Sequence, residues 1–379
     1  MDLQALGSSN AEFGVDLYQK LATANPDENV FFSPISLLFA LAITLLGAKE
    51  KTEAQLKSVL KLDQFAHGEV HSRFADLMRH LQQSDGNYEL NIANKLYGEE
   101  TENFLSDFLE ESKKYYGSGL EPVSFLNNAD GIRSMINSWV EKQTHQKIRD
   151  LLPAGLLDAL TRLVIVNAVY FKGTWKTQFD QSETQKGVFV TPLRTFSDVS
   201  FMHLPKLNAK YMYNNELNCQ ILELPYKGDS MSFVVVLPNL KETTLEAVES
   251  SMDKNFFSTV DENIWRMDVE IWLPKFKIEK KSNAMESLMK MGIVDLFSES
   301  RTDLSKMTGE RNLFVSKLLH KAFIEVNEKG SEAAASTGVV ISFRSAKIKI
   351  KFKADHPFIF YIKDNAIGSI LFMGRLFKM

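Results

Sequence analysis

An α+β domain is predicted by three features of the sequence. Before Leu163 the apolar residues recur at helical spacing; after it they gather into short β-branched and aromatic runs; no linker, repeat or low-complexity tract separates the halves. A chain of 379 residues could hold two or three domains, but without a visible boundary residues 1–379 are expected to form one. Apolar residues at 44% and charged residues at 24% are ordinary globular values, and a net charge of −4 argues against a nucleic-acid binder.

The helical elements come first. Phe13, Leu17 and Leu21 follow Asn10 at helical spacing, which predicts a helix capped by Asn10. Ser33-Pro34 opens an apolar helix from Ile35 to Leu46, with Ser33 as its cap and Pro34 in the first turn, where its missing N–H costs nothing; Gly47 stops it. Further helices are expected at Thr52–Leu60, Glu69–Gln82, Asn103–Tyr116 and Ala129–Thr144. Strands are expected at Leu163–Phe171, Ser232–Pro238, Val269–Leu273 and Phe358–Ile362, each ended by Pro, Gly or Asn.

The most informative stretch lies between two further strand-like runs, Ala322–Val326 and Ile348–Phe352. A compact domain rarely keeps so long a connection unless it is functional or disordered. This one begins Glu328-Lys329-Gly330-Ser331-Glu332-Ala333-Ala334-Ala335-Ser336-Thr337-Gly338, has no proline, and continues into Val339, Val340 and Ile341. Small side chains followed by β-branched ones suit a strand that slots between two strands already in place. At period two, Ser331, Ala333, Ala335, Thr337, Val339 and Ile341 share one uncharged face.

Several blocks resemble the serpins, suicide inhibitors of serine proteases. Glu328 to Thr337 is similar to the inhibitory hinge, Phe352-Lys-Ala-Asp-His-Pro-Phe-Ile-Phe-Tyr-Ile362 to the signature beyond the reactive loop, and Asn167-Ala-Val-Tyr-Phe-Lys-Gly-Thr-Trp175 to a third block. Phe32–Ser36, Leu273–Lys277, Met291–Phe297 and Ile370–Arg375 follow the family's order as well. The resemblance implies a serpin fold over the whole chain: three β-sheets, about eight or nine surrounding helices and an exposed reactive-centre loop at about 329–347. It also implies loop insertion, a known instance of strand addition to a sheet.

Arg344-Ser345 lies sixteen residues past Glu328, the spacing between hinge glutamate and scissile bond in inhibitory serpins, so the resemblance makes it the reactive bond. A cationic side chain there suits the acidic specificity pocket of trypsin-like proteases. Phe343 would suit a chymotrypsin-like enzyme, Lys347 is a second basic candidate, and the leucine or methionine that would suggest elastase-like targets is missing. The expected activity is a one-use covalent trap, with trypsin-like proteases as partners. An inserted strand would form about fifteen to twenty main-chain hydrogen bonds at roughly 1 kcal/mol net each. A charged residue on the inner face would oppose this by several kcal/mol. Ser331 is expected to be the first side chain to turn inward, from a loop that starts out exposed. The alternative is a serpin fold used as a carrier, chaperone or storage protein.

Ser33, Ser36, Asn167 and His320 match positions that the family uses as a hydrogen-bonded latch under the central sheet, and Trp175 resembles the tryptophan below the insertion point. Taken singly, each could equally satisfy its local backbone or fill the core. Lys347, Lys349, Lys351 and Lys353 alternate with apolar residues, which suits weak polyanion binding or the protection of an exposed sheet edge. In Glu69–Gln82, Arg73 and Arg79 are too few for a glycan site.

Catalytic motifs are missing: there is no Gly-x-Ser-x-Gly elbow, His-Glu-x-x-His helix or Walker loop, so the chain is not expected to be an enzyme and no cofactor is implied. His67 and His71 stand four apart without an evident third metal ligand. Cys219 is the sole cysteine and is expected to be a buried thiol. The sequence has no signal-peptide pattern, no Asn-x-Ser/Thr sequon and no run long enough to span a bilayer. A cytoplasmic monomer is therefore expected, or an extracellular one if the chain is a mature form with an added Met or is exported unconventionally.

Overall fold

The computed structural model describes residues 3–66, 68–83, 86–117, 119–282, 284–331 and 350–379. In chain order the first part runs α1 (Gln4–Ala24), β1 (Val30–Phe32), α2 (Pro34–Gly47), α3 (Glu50–Val59), α4 (Glu69–Gln82), β2 (Tyr88–Glu99), α5 (Ser106–Tyr116), β3 (Leu120–Val123), α6 (Phe125–Gln143) and β4 (Leu163–Thr174). Then come β5 (Gln185–Val190), β6 (Thr195–Asn214), β7 (Cys219–Pro225), β8 (Met231–Pro238), α7 (Leu245–Ser251), α8 (Phe256–Asn263), β9 (Trp265–Pro274) and β10 (Phe276–Ser282). The last part holds α9 (Ala284–Met291), α10 (Ser305–Thr308), β11 (Val315–Asn327), β12 (Gly330–Ser331), β13 (Ile350–Lys353), β14 (Phe358–Asp364) and β15 (Ile370–Leu376).

Two sheets organise these elements. The larger runs β1-β15-β14-β8-β7-β6-β9-β13, with β5 on β6; the smaller runs β10-β11-β12-β4-β2-β3, with β11 also paired to β4. A register shift between Leu204 and Leu207 interrupts the β6–β9 ladder. Because β6 pairs with both β7 and β9, two of the three expected sheets share one hydrogen-bonded network.

Helix α2 is buried along its whole length, as an all-round apolar helix must be. Ser33 caps it as the sequence predicts, its Oγ accepting from the Ser36 N–H at 3.2 Å. The predicted cap at Asn10 is not found. Helix α1 begins six residues earlier, and buried Asn10 instead donates from Nδ2 to Ser369 Oγ (2.9 Å) and the Ile370 carbonyl (2.8 Å). Its amide serves a long-range contact that sequence spacing does not reveal. Asn128 interrupts α6 with non-helical backbone and accepts from the Gly131 N–H, so a regular helix begins near the predicted Ala129.

Strand β4 alternates between two cores. Val164, Val166, Ala168 and Tyr170 pack with Ile136 and Val140 of α6, while Leu163, Ile165, Val169 and Phe171 join the main core. Asn167 therefore falls on the main-core face. At the other end of the molecule, Arg375 of β15 closes the structure from within. Its Nη1 donates to both Glu249 carboxylate oxygens at 2.9 Å, Nε donates to the Glu28 carbonyl at 3.0 Å, and Tyr18 donates to Glu249 Oε1 at 2.5 Å.

Arg375→Leu would leave the Glu249 carboxylate buried without its cation. Chemical denaturation should then show a loss of about 3 kcal/mol or more.

Candidate functional site

The smaller sheet parts at one end. Strands β4 and β11 pair in parallel from Leu163↔Val315 up to Tyr170↔Phe323. Above that point β12 enters between them, antiparallel to both: Gly330 faces Asn327 and Thr174, and Ser331 faces Val326 and Gly173. Two residues of the hinge, Gly330 and Ser331, are thus already a strand.

Three features hold this wedge. Glu328 anchors its base: the carboxylate accepts from Lys275 Nζ at 2.9 and 3.0 Å and from Thr184 Oγ1 at 2.9 Å. Burial pushes the Glu328 pKa upward, but hydrogen bonds from Lys275, its own amide and Thr184 outweigh it and hold the group below its ordinary value. Trp175 binds the turn above, its indole Nε1 donating to the Asn327 carbonyl and its amide to the Lys329 carbonyl, both at 2.9 Å. The ring stacks on Tyr226 at 4.8 Å with 8° between planes.

The third feature is the absence of a side chain at Gly330. With φ at +150°, a Cβ here would lie 1.9 Å from the Gly173 carbonyl oxygen and 2.7 Å from the Thr174 Cα. Only glycine allows the two backbones to meet. Ser331 follows with its side chain inward, buried, its hydroxyl 2.6 Å from the Tyr226 hydroxyl. This corrects the expectation that Ser331 starts exposed. Two strands and a core tyrosine already enclose it, so Ser331→Arg would disturb the native sheet as well as later insertion.

Further down the same seam lie the residues expected to form a latch. His320 and Asn167 are directly opposed across β11 and β4, and Asn94 opposes Asn167 from β2. The Ser33 N–H donates to His320 Nε2 at 3.1 Å, so that nitrogen is the unprotonated one and Nδ1–H donates to Asn167 Oδ1. Asn167 Nδ2 donates to Ser36 Oγ at 2.7 Å and to Asn94 Oδ1; Asn94 Nδ2 donates to the Ser36 carbonyl at 3.0 Å. Ser33 Oγ donates to the Leu371 carbonyl at 2.6 Å, which ties the set to the larger sheet. Burial lowers the His320 pKa to about 3, so the imidazole is neutral.

The structure brings together Ser33, Ser36, Asn167 and His320 as one network, and sets Trp175 with Glu328, Gly330 and Ser331 at the top of the seam. Glu332, Ala333, Ala334, Ala335, Ser336, Thr337, Phe343, Arg344, Ser345, Lys347 and Lys349 lie outside the described residues, as does His67. His71 engages the Tyr116 hydroxyl at 2.6 Å through Nδ1. Lys351 and Lys353 point outward from β13, whose partner is β9; Lys351 sits 5.9 Å from the Trp272 ring and Lys353 pairs with Asp355 at 2.9 Å. Cys219 is buried, which pushes its thiol up to about 12.

Sequence reasoning missed Asn94 and Tyr226. Asn94 carried a signal: by period two it shares a face with Ile92 and Leu96, and a polar residue on an apolar face resembles the anomaly at Asn167. Tyr226 carried none, because its contact with Ser331 spans 105 residues.

A family model described as Serpin (serine protease inhibitor) matches residues 8–379. The chain belongs to the serpin family. Leukocyte elastase inhibitor A of Mus musculus is 41% identical over 379 residues, covering 99% of each chain. Uncleaved ovalbumin is similar with a TM-score of 0.87 at 33% identity, covering 99% of this chain and 100% of that one. Human thyroxine-binding globulin complexed with thyroxine gives 0.88 at 30% identity over 98% of both. The implied serpin fold is therefore the observed one.

The His320 proton equilibrium has a definite sign. The imidazole takes a proton near pH 6.5 when unfolded but only near pH 3 when folded, so its contribution is intact above about 6.5 and is lost as pH falls toward 3. Between pH 6.5 and 5 the parent should lose about 2 kcal/mol relative to His320→Gln, read from unfolding midpoints across pH. Separately, Gly330→Ala should expel β12, and the Ser331 amide should exchange with deuterium at least about tenfold faster.

Proposed function

We propose that this serpin traps serine proteases by a one-use covalent mechanism, with Arg344-Ser345 offered to trypsin-like enzymes. The observation that carries this reading is β12: two residues of the hinge sit between β4 and β11, in line with the seam that the rest of the loop would follow. The protease serine oxygen adds to the Arg344 carbonyl carbon. The bond to the Ser345 nitrogen breaks, that amine leaves with a proton, and an ester links enzyme to inhibitor. Continued entry of residues 332–343 then carries the ester and its enzyme along the sheet before water can cleave it.

The energetics differ from those of a strand added to an empty gap. β4 and β11 already pair along the route, so insertion replaces one parallel ladder by two antiparallel ones. The net gain is about one ladder, on the order of 10 kcal/mol, less than the roughly fifteen to twenty bonds of a fully flanked strand would give. The latch must exchange partners on the way, and its neutral histidine and amides can do so without stranding a charge. In the uncharged inner set, Ser331 is the position whose inward orientation is on hand, and it follows the period-two assignment.

The choice of target rests on Arg344. The mouse relative's name specifies leukocyte elastase, whereas a guanidinium before the cleaved bond suits an acidic pocket. Lys351 and Lys353 are better read as edge protection on β13 than as a polyanion site, given their pairings.

A panel of trypsin-like, chymotrypsin-like and elastase-like proteases tests this directly. Trypsin-like enzymes should give an SDS-stable complex near 1:1 and release a peptide beginning at Ser345, and Arg344→Ala should abolish most of that inhibition. Trapping confined to an elastase-like enzyme would reassign the bond. Absence of any stable complex would favour the carrier reading.

A further inference from the structure

Beside Trp175 lies a cavity of about 80 Å³ that no part of the proposed trapping cycle uses. Its walls are Trp175, Phe179, Leu207, Leu224 and Pro225, and the exposed Arg266 borders it. An adjoining hollow of about 240 Å³ shares Lys176, Pro225 and Arg266 and adds Lys210. The carboxylates here are engaged: Glu223 bonds Lys210 at 2.9 Å and Asp229 bonds Lys176 at 2.5 Å. Arg266 is different. Its Nη1 donates to the Asn208 carbonyl at 3.1 Å, and no carboxylate pairs with it among the described residues.

We propose that this cleft binds a small aryl-alkanoate anion, its ring in the cavity and its carboxylate on Arg266. An apolar pocket with a few convergent polar groups is the usual form of a small-molecule site. A ring would sit partly in the cavity and partly in the mouth bordered by Arg266, with Trp175 and Phe179 offering it aromatic surface. The guanidinium fork matches a carboxylate with two parallel hydrogen bonds, and with Lys176 and Lys210 already paired, Arg266 supplies the uncompensated positive charge among the described residues of the cleft. A neutral hydrocarbon would fill the cavity and leave the Arg266 fork unused.

The probe is 3-phenylpropanoate, titrated calorimetrically into the full chain with no protease present, so the outcome is independent of the trapping reading. One-to-one binding is expected, with a shift of the Trp175 indole N–H resonance. Arg266→Gln and the neutral 3-phenylpropanamide should each weaken binding by at least about tenfold, the loss of one charge-assisted bidentate contact. Arg266 is exposed, so its replacement leaves the core intact, which an unchanged unfolding midpoint verifies. No binding at millimolar probe, binding without a Trp175 shift, or equal affinity for Arg266→Gln would each overturn the proposal.

Discussion

The parallel ladder between β4 and β11 stops at Tyr170 and Phe323, and the working parts of the molecule are arranged around that stop. Above it the two strands have room for a third, and β12 takes the space. Below it they are closed, with the latch in the middle of the closed part. A sheet closed along its whole length would give the hinge no entry. A sheet open along its whole length would have filled already. In the proposed trapping cycle the stop would set both the site of entry and the work that entry must do.

The polar groups of the Ser33–His320 network are neutral, and that choice has a physical basis. In the proposed insertion, β4 and β11 would pass through arrangements in which side-chain bonds are briefly unmade. An unmade neutral hydrogen bond costs a few kcal/mol in a core, whereas an unpaired charge costs more. His320 is kept uncharged by burial, and Asn167 and Asn94 offer both donors and acceptors. Glu328 is fixed by Lys275 at the hinge base, and Arg375 by Glu249.

Much of this was legible in the chain. The helix at Glu69–Gln82 matches the predicted bounds, and Ser33 caps α2 as its position before Pro34 implies. These are local properties, set by spacing and by the backbone needs of a first turn. Asn10 misled for the same reason: its sequence context is that of a cap, but its amide answers to β15, some 360 residues away. The latch members were found by resemblance, and Asn94 could have joined them by parity alone.

The sequence by itself determined the fold family and the inward parity of Ser331, because periodicity and small side chains are written residue by residue. Tertiary structure alone decided that Ser331 is already buried, that Tyr226 receives it, and that β4 and β11 are paired along the route. Each of these depends on which strand lies next to which. That is set by the closing of the whole core, and no local stretch of sequence carries it.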